Sequence, residues 1–238
     1  MRKIVIAAAF IALSPAAFAA DNIDNLGALA QAEFRGLSED LGASLSYKAL
    51  EPAEPAGLLG FDLGVDASAT KVQNPDAWRL ATSGSSVDYL PMARVRFTKG
   101  LPLGFDVGGF YTTVPGSNIK SWGAELRYAL VEGGALTPAV GLRGGYTKLT
   151  GVNQLAFDTR SVDLSISKGF GPITPYAGVG RVWTDSNPDA STGLSEETFN
   201  QNKYFGGLRL SLVAINFVVE ADRTGQATTY SLKFGVGF

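Results

Sequence analysis

Charged side chains at alternate positions are the residues of this chain whose types and spacing could do chemistry. Residues two apart in a β-strand share one face, because strand side chains alternate. Alternation puts on one face Lys48, Asp62, Asp66, Arg94, Arg96, Asp106, Glu125, Arg127, Arg143, Asp163, Arg181, Lys203, Arg209, Glu220, Asp222 and Lys233. Opposite charges on neighbouring strands attract across about 5 Å, so this face predicts either a lattice of ion pairs or a charged path that selects a solute.

Catalytic chemistry has little support in the sequence, which contains no histidine and no cysteine. Histidine is the usual base that activates a serine or a water near neutral pH, and cysteine is the usual alternative nucleophile. Glu220 and Asp222 could form a carboxylate dyad, but the neighbouring arginines favour structural ion pairs. We therefore predict a protein that is not an enzyme, with no catalytic residues, no cofactor and no metal site.

The elements that would position these charges are short alternating segments. Eleven of them are found, at residues 40–49, 58–70, 91–99, 103–113, 119–131, 135–148, 157–169, 172–184, 203–213, 215–223 and 228–238. Membrane-spanning strands need about 9–11 residues, with apolar side chains towards lipid and polar ones towards the interior. The pattern predicts an all-β protein, a transmembrane antiparallel up-and-down β-barrel.

The number of strands is ambiguous, because single-chain bacterial barrels have an even number. Either residues 40–49 do not span the membrane and the barrel has ten strands, or a weak strand within 26–36 precedes them and it has twelve. Leu41, Ala43 and Leu45 alternate cleanly on what would be the lipid face. We therefore favour twelve strands slightly.

A helical stripe competes with this interpretation near the N-terminus. Apolar residues recur at three- and four-residue spacing at Ile23, Leu26, Ala30, Phe34, Leu37 and Leu41. This spacing is typical of one helix face. We predict a short helical segment at residues 20–39, before a barrel formed by residues 40–238. It would be either a plug inside the lumen or a periplasmic cap.

The first residues have the features of a secretory signal peptide. Arg2 and Lys3 precede an apolar run over 4–13, and the small-residue site Ala17-Phe18-Ala19 follows. The apolar run is too short to be a membrane-spanning helix. We predict a signal peptide at residues 1–19, with cleavage near Ala19.

The last eleven residues, T-T-Y-S-L-K-F-G-V-G-F, alternate up to a terminal aromatic residue. This stretch, with Tyr230, Phe234 and Phe238, resembles the C-terminal assembly signal of Gram-negative outer-membrane β-barrels. The phrases at residues 58–64 and 165–171 also resemble those of a proteobacterial outer-membrane barrel family without an assigned function. The resemblance implies an integral protein of the bacterial outer membrane. Its partners would be the barrel assembly machinery, outer-membrane lipids and lipopolysaccharide.

Two functions remain open from the sequence. The favoured one is passive passage or binding of a small solute, with a hydrophobic solute as one option. The alternative is a closed structural or surface-interaction barrel with a salt-bridged lumen and partner-binding extracellular loops. A formal net charge of −2 is too mild to predict nucleic-acid binding.

Overall fold

Antiparallel strands form a closed barrel in the computed structural model, which describes residues 21–84, 87–114 and 116–237. The ten strands of these residues are β1 Phe61–Lys71, β2 Tyr89–Gly100, β3 Phe105–Thr113, β4 Lys120–Val131, β5 Ala139–Thr150, β6 Leu155–Ser167, β7 Ile173–Pro188, β8 Glu197–Leu212, β9 Ile215–Thr224 and β10 Ala227–Gly237. Each strand pairs with its neighbours in sequence, and β1 closes the barrel against β10. The predicted signal peptide and Phe238 lie outside the described residues.

The strands form because their side chains alternate between an apolar outer face and a mainly polar inner face. In β1, Leu63 and Val65 are each 53% exposed on the outside, whereas Asp62 and Asp66 are buried inside. The outward apolar residues make a band of the kind that faces lipid in membrane barrels. The predicted all-β antiparallel barrel is therefore confirmed.

The preference for twelve strands is wrong, because residues 40–49 form no strand. A helix, α1, covers Gln31–Leu45, and the chain then runs extended to the start of β1. Leu41, Ala43 and Leu45 are buried inside the barrel and do not face lipid. Small and apolar residues at these positions fit a strand face or a helix face equally well, and packing in the interior decides for the helix.

The connections define two ends of the barrel. Residues 72–88, which include the helix α2 Pro75–Ala81, and residues 189–196 connect strands at one end. Shorter turns at 101–104, 168–172 and 213–214 lie at the other end. Outer-membrane barrels have short periplasmic turns and longer extracellular loops, so we name the two ends accordingly.

The remaining helical elements are short. The 3₁₀ turns of the described residues are Leu26–Ala28, Pro102–Gly104 and Ala190–Thr192. Within the same residues, no helix is long and apolar enough to cross a membrane.

Candidate functional site

The interior of the barrel is occupied by residues 31–56, which we name the luminal segment. At the extracellular end, Gln31 Nε2 donates to the Ser195 carbonyl at 3.1 Å. At the periplasmic end, the Ala56 N–H donates to Asp106 Oδ1 at 3.0 Å. Between them, Ala53 N–H donates to Ser167 Oγ at 3.0 Å. The luminal segment therefore runs through the barrel from one end to the other.

The extracellular half of the lumen is filled by apolar packing. Phe34, Leu37 and Leu41 of α1 are fully buried, and so is Trp78 of α2. These side chains belong to one apolar cluster with residues 23–29, which cross the mouth of the barrel, and with inward residues at the extracellular ends of the strands. α1 thus fills this half of the lumen by packing its apolar side chains, as a helix packs against the core of a soluble domain.

Asp40 fixes α1 to the loop that carries α2. Its Oδ1 accepts the Gln73 N–H at 2.9 Å, and its Oδ2 accepts the Asn74 N–H at 2.9 Å and the Trp78 Nε1–H at 3.2 Å. Burial raises the pKa of Asp40, although these hydrogen bonds act in the opposite direction. The carboxylate joins two helices at the extracellular end.

Lys48 begins the charged half of the lumen. Its Nζ donates to Asp222 Oδ1 at 3.0 Å, to Thr229 Oγ1 at 3.2 Å and to the Ala43 carbonyl at 2.8 Å. The side chains of Lys48 and Asp222 are both fully buried. Because the pair is desolvated, each charge depends on the other for its compensation.

Glu51 joins the luminal segment to three strands. Its carboxylate lies 2.6 Å from Arg127 Nη1 and 3.0 Å from Lys233 Nζ, and it accepts the Thr98 hydroxyl at 3.2 Å. One residue earlier, the Leu50 N–H donates to Glu220 Oε2 at 2.7 Å, and the Tyr176 hydroxyl donates to the same oxygen. Backbone and side chains of the segment are both held by wall charges.

Arginines of β2 hold the carbonyls of the luminal segment. Arg94 and Arg96 share Asp66, with nitrogen–oxygen distances of 3.2 and 3.0 Å. Each arginine also donates inward through another nitrogen, Arg94 to the Ser44 carbonyl at 3.0 Å and Arg96 to the Lys48 carbonyl at 3.3 Å. Ser44 lies in the last turn of α1 and Lys48 in the extended chain, so the wall lattice satisfies carbonyls at the helix end and in the extended backbone.

The residues predicted to carry lumen charges are brought together, with one exception. Further pairs join Arg143 to Glu125 at 2.9 Å, Lys203 to Asp163 at 2.9 Å, Arg127 to Asp106 at 2.9 Å, Lys233 to Asp62 at 2.6 Å and Arg209 to Asp62 at 3.9 Å. Arg181 was expected inside but is exposed on the outer face, where it donates to Asn200. Its neighbour Val182 takes the inward position, because the alternation of β7 places even-numbered residues inside.

Sequence reasoning missed Glu51, Tyr47 and Tyr176 as interior residues. Glu51 lies in the segment E-P-A-E-P, which has no strand or helix pattern. Tyr47 continues the alternation of Leu41, Ala43 and Leu45, but it is buried inside and its ring packs against Phe110 with 5.2 Å between centroids. Tyr176 is also buried inside, where its hydroxyl donates to Glu220. An acidic residue in a segment with two prolines gave no usable signal. Tyr176 lies two residues after the inward Thr174, and this spacing in a strand could have placed it inside.

The charged groups of the barrel wall bind the luminal segment of the same chain, and few of them are left without a partner. Glu220 and Asp222, the carboxylates considered as a dyad, are engaged by Leu50 and Lys48 respectively. Across the described residues, no group of three or more carboxylates, histidines or cysteines could hold a metal ion.

Similar solved structures are bacterial outer-membrane β-barrels, although no protein-family model and no curated protein sequence matches the chain. The KdgM porin is 9% identical, with a TM-score of 0.38 over 74% of this chain and 99% of that chain. Neisserial surface protein A is 13% identical, with a TM-score of 0.32 over 75% and 97%. The predicted resemblance to Gram-negative outer-membrane barrels is confirmed for the fold, which is a closed antiparallel barrel, and the outer-membrane location stays a prediction.

The expectation that the protein is not an enzyme needs correction. The outer-membrane enzyme PagL is among the similar structures, at 12% identity and a TM-score of 0.33 over 74% of this chain and 98% of that chain. Porins, surface proteins and an enzyme thus share the general architecture, so the barrel fold does not exclude enzymatic function. The absence of histidine and cysteine excludes particular chemistries only.

Proposed function

We propose that this protein is an outer-membrane barrel held closed by its own N-terminal segment and that it acts through its extracellular surface. The observation that carries the proposal is the unbroken series of contacts from Gln31 to Ala56 through the lumen. Of the two interpretations of the N-terminal helix, these contacts support a plug. The extracellular loops would then be the surface that meets a partner.

Passive passage of a small solute is the second candidate function. It is supported by the polar lining that would surround an aqueous path if the luminal segment moved. Asp66, Glu220 and Asp222 would then face Arg94, Arg96 and Lys233 across water, and charges of this kind select solutes in channels. Passage would require the segment to leave its contacts with the wall.

Conductance in a planar bilayer separates the two functions. The hydroxyls of Ser38 in α1 and Ser186 in β7 lie 2.8 Å apart, and the chain has no cysteine of its own. A Ser38→Cys/Ser186→Cys variant can therefore lock α1 to the wall through a disulfide. We expect no steady current from the full chain, whether the disulfide is oxidised or reduced. Current that appears in the reduced form and stops on oxidation would support passage and contradict a closed barrel.

Assembly by the barrel machinery stays a prediction. Tyr230 and Phe234 point outward from β10, as the predicted signal requires, and Phe238 completes it in the sequence. Replacing Phe238 with Ala should lower the amount of folded protein in the outer membrane.

A further inference from the structure

A groove of about 830 Å³ lies on the outer wall of the barrel, across β2, β1, β10, β9 and β8. Small residues make it, because Ala67, Ala69, Ala93, Ala221 and Gly206 point outward close together on these neighbouring strands. Its volume lies within the range of about 300–1,000 Å³ that is common for ligand sites. The groove is therefore an indentation of the lipid-facing side of the wall.

The groove opens to the outside of the barrel and not to the lumen. Ala67 and Ala221 are exposed, whereas the alternate residues Ser68 and Glu220 are buried on the inner side. Tyr230 and Leu232 of β10 stand exposed within the groove. Its lining is thus a surface that acyl chains of the membrane would contact.

Two cations lie at the extracellular rim of this groove. Lys71 follows Ala69 on the outer face of β1, and Arg223 follows Ala221 on the outer face of β9. Both pair with Thr228 of the strand between them, so their backbones are roughly 10 Å apart. Flexible side chains of this length can reach a single anionic group from both sides.

These cations have no carboxylate partner among the described residues, unlike another arginine at the same end. Arg160 lies 3.8 Å from Asp158 and 3.5 Å from Asp185. Lys71 and Arg223 are exposed and form no salt bridge in the described part of the chain. Their charge is therefore available to an anion from outside the protein.

Aromatic residues mark the depth of the rim. Tyr89 pairs with Lys71 and Tyr204 pairs with Arg223, and the two rings are 47% and 56% exposed on the outer face. Aromatic side chains concentrate at the headgroup level of membrane barrels. The cations thus lie at headgroup depth, and the groove lies directly below them at acyl-chain depth.

We propose that the groove and its rim bind a phosphorylated glycolipid of the outer leaflet, through the lipid A part of lipopolysaccharide. A phosphate would lie between Lys71 and Arg223, and an acyl chain would fill the groove lined by Ala67, Ala69 and Ala221. Charge-assisted hydrogen bonds from Lys and Arg suit phosphate, and an apolar indentation suits an alkyl chain. The occupant is a membrane lipid, because a soluble anion has no alkyl chain to fill the groove.

Native mass spectrometry of the full chain in detergent tests the proposal, with bis-phosphorylated lipid A and dephosphorylated lipid A as probes. Lys71→Gln/Arg223→Gln should weaken binding of bis-phosphorylated lipid A by about thirtyfold, on the order expected for two cations near an anionic surface. The same variant should leave binding of dephosphorylated lipid A unchanged. Ala67→Leu/Ala221→Leu fills the groove and should weaken binding of both lipids.

Matched controls come from β4 and β5, where Lys120, Lys148 and Ala124 are also exposed on the outer face. Lys120→Gln/Lys148→Gln and Ala124→Leu should leave the affinity for bis-phosphorylated lipid A unchanged, with heat-modifiable migration confirming folding of every variant. Equal weakening by the two charge variants would overturn the site. So would equal affinity of the wild type for the two lipids, or an effect of the rim variant without any effect of the groove variant.

Discussion

The two halves of the occupied lumen hold the same segment by different forces. In the extracellular half, α1 packs Phe34 and Leu37 against an apolar cluster. In the charged half, the extended chain after Leu45 is held by ion pairs of Lys48 and Glu51 and by Arg96, which donates to the Lys48 carbonyl. The interactions change from apolar packing to ion pairs and hydrogen bonds where the backbone changes from helix to extended chain.

This difference shows how a wall is matched to the backbone that it encloses. A helix satisfies its own backbone hydrogen bonds and can face an apolar wall, whereas an extended chain needs partners from outside. The inward residues of β2 change accordingly from Leu90 and Met92 at the extracellular end to Arg94 and Arg96 further down. The charges of the wall thus lie where the unpaired backbone lies.

The largest effect is expected from breaking the charged half at Lys48. Lys48→Met leaves Asp222 buried without its cation, and removing one partner of a buried pair costs about 3–5 kcal/mol. Guanidinium unfolding in detergent would measure the loss. The double variant with Asp222→Asn should recover much of it, because no buried charge is then left alone. A loss below about 1 kcal/mol for Lys48→Met would mean that water reaches the pair.

The apolar half should respond to the loss of volume and not of charge. Leu37→Ala removes a fully buried side chain, and such changes cost about 2–5 kcal/mol through lost burial and the cavity left behind. The same unfolding measurement applies. Leu63→Ala on the lipid face is the control and should cost clearly less, since it opens no cavity. Equal losses would show that α1 is not tightly packed.

Contact between the luminal segment and the wall can be tested at two adjacent glycines. A Cβ at Gly145 would lie 2.9 Å from Tyr47 Cβ and 2.8 Å from Ser161 Oγ, whereas one at Gly144 would meet nothing within 4 Å. Gly145→Ala should therefore cost about 1–3 kcal/mol through overpacking, and Gly144→Ala should be close to neutral. Similar values for both variants would place Tyr47 away from the wall.

The smallest expected effect is the pH dependence of stability that Asp40 causes. Burial raises the pKa of this carboxyl, so its contribution to stability is fully present below its ordinary value of about 4 and is lost as the pH rises through the raised value. As the pH rises through the raised pKa, we expect the free energy of unfolding of the wild type to fall relative to that of Asp40→Asn. Fluorescence of Trp78, with Trp122 and Trp183 replaced by Phe, would report the change beside α1. A pH-independent difference would contradict the raised pKa.

Much of the barrel wall could be predicted from the sequence, whereas the luminal segment could not. Segments such as 215–223 alternate strictly, and in the structure β9 covers Ile215–Thr224. Residues 40–49 alternate as well, but alternation of small residues does not separate a strand from a helix face. Arg181 shows a related error, since Val179 and Val182 lie on opposite faces of β7 and alternation alone does not decide which face is the inner one.

The sequence by itself determined that this chain forms a barrel with charges of both signs inside, because strand periodicity fixes which side chains share a face. Only the tertiary structure decided what those charges bind. Glu220 pairs with the Leu50 N–H and Asp222 with Lys48, across sequence separations of 170 and 174 residues. No local pattern records such contacts, since they depend on how the closed wall and the segment within it fit together. The groove below Lys71 and Arg223 arises in the same way, because it exists only when β1 closes against β10.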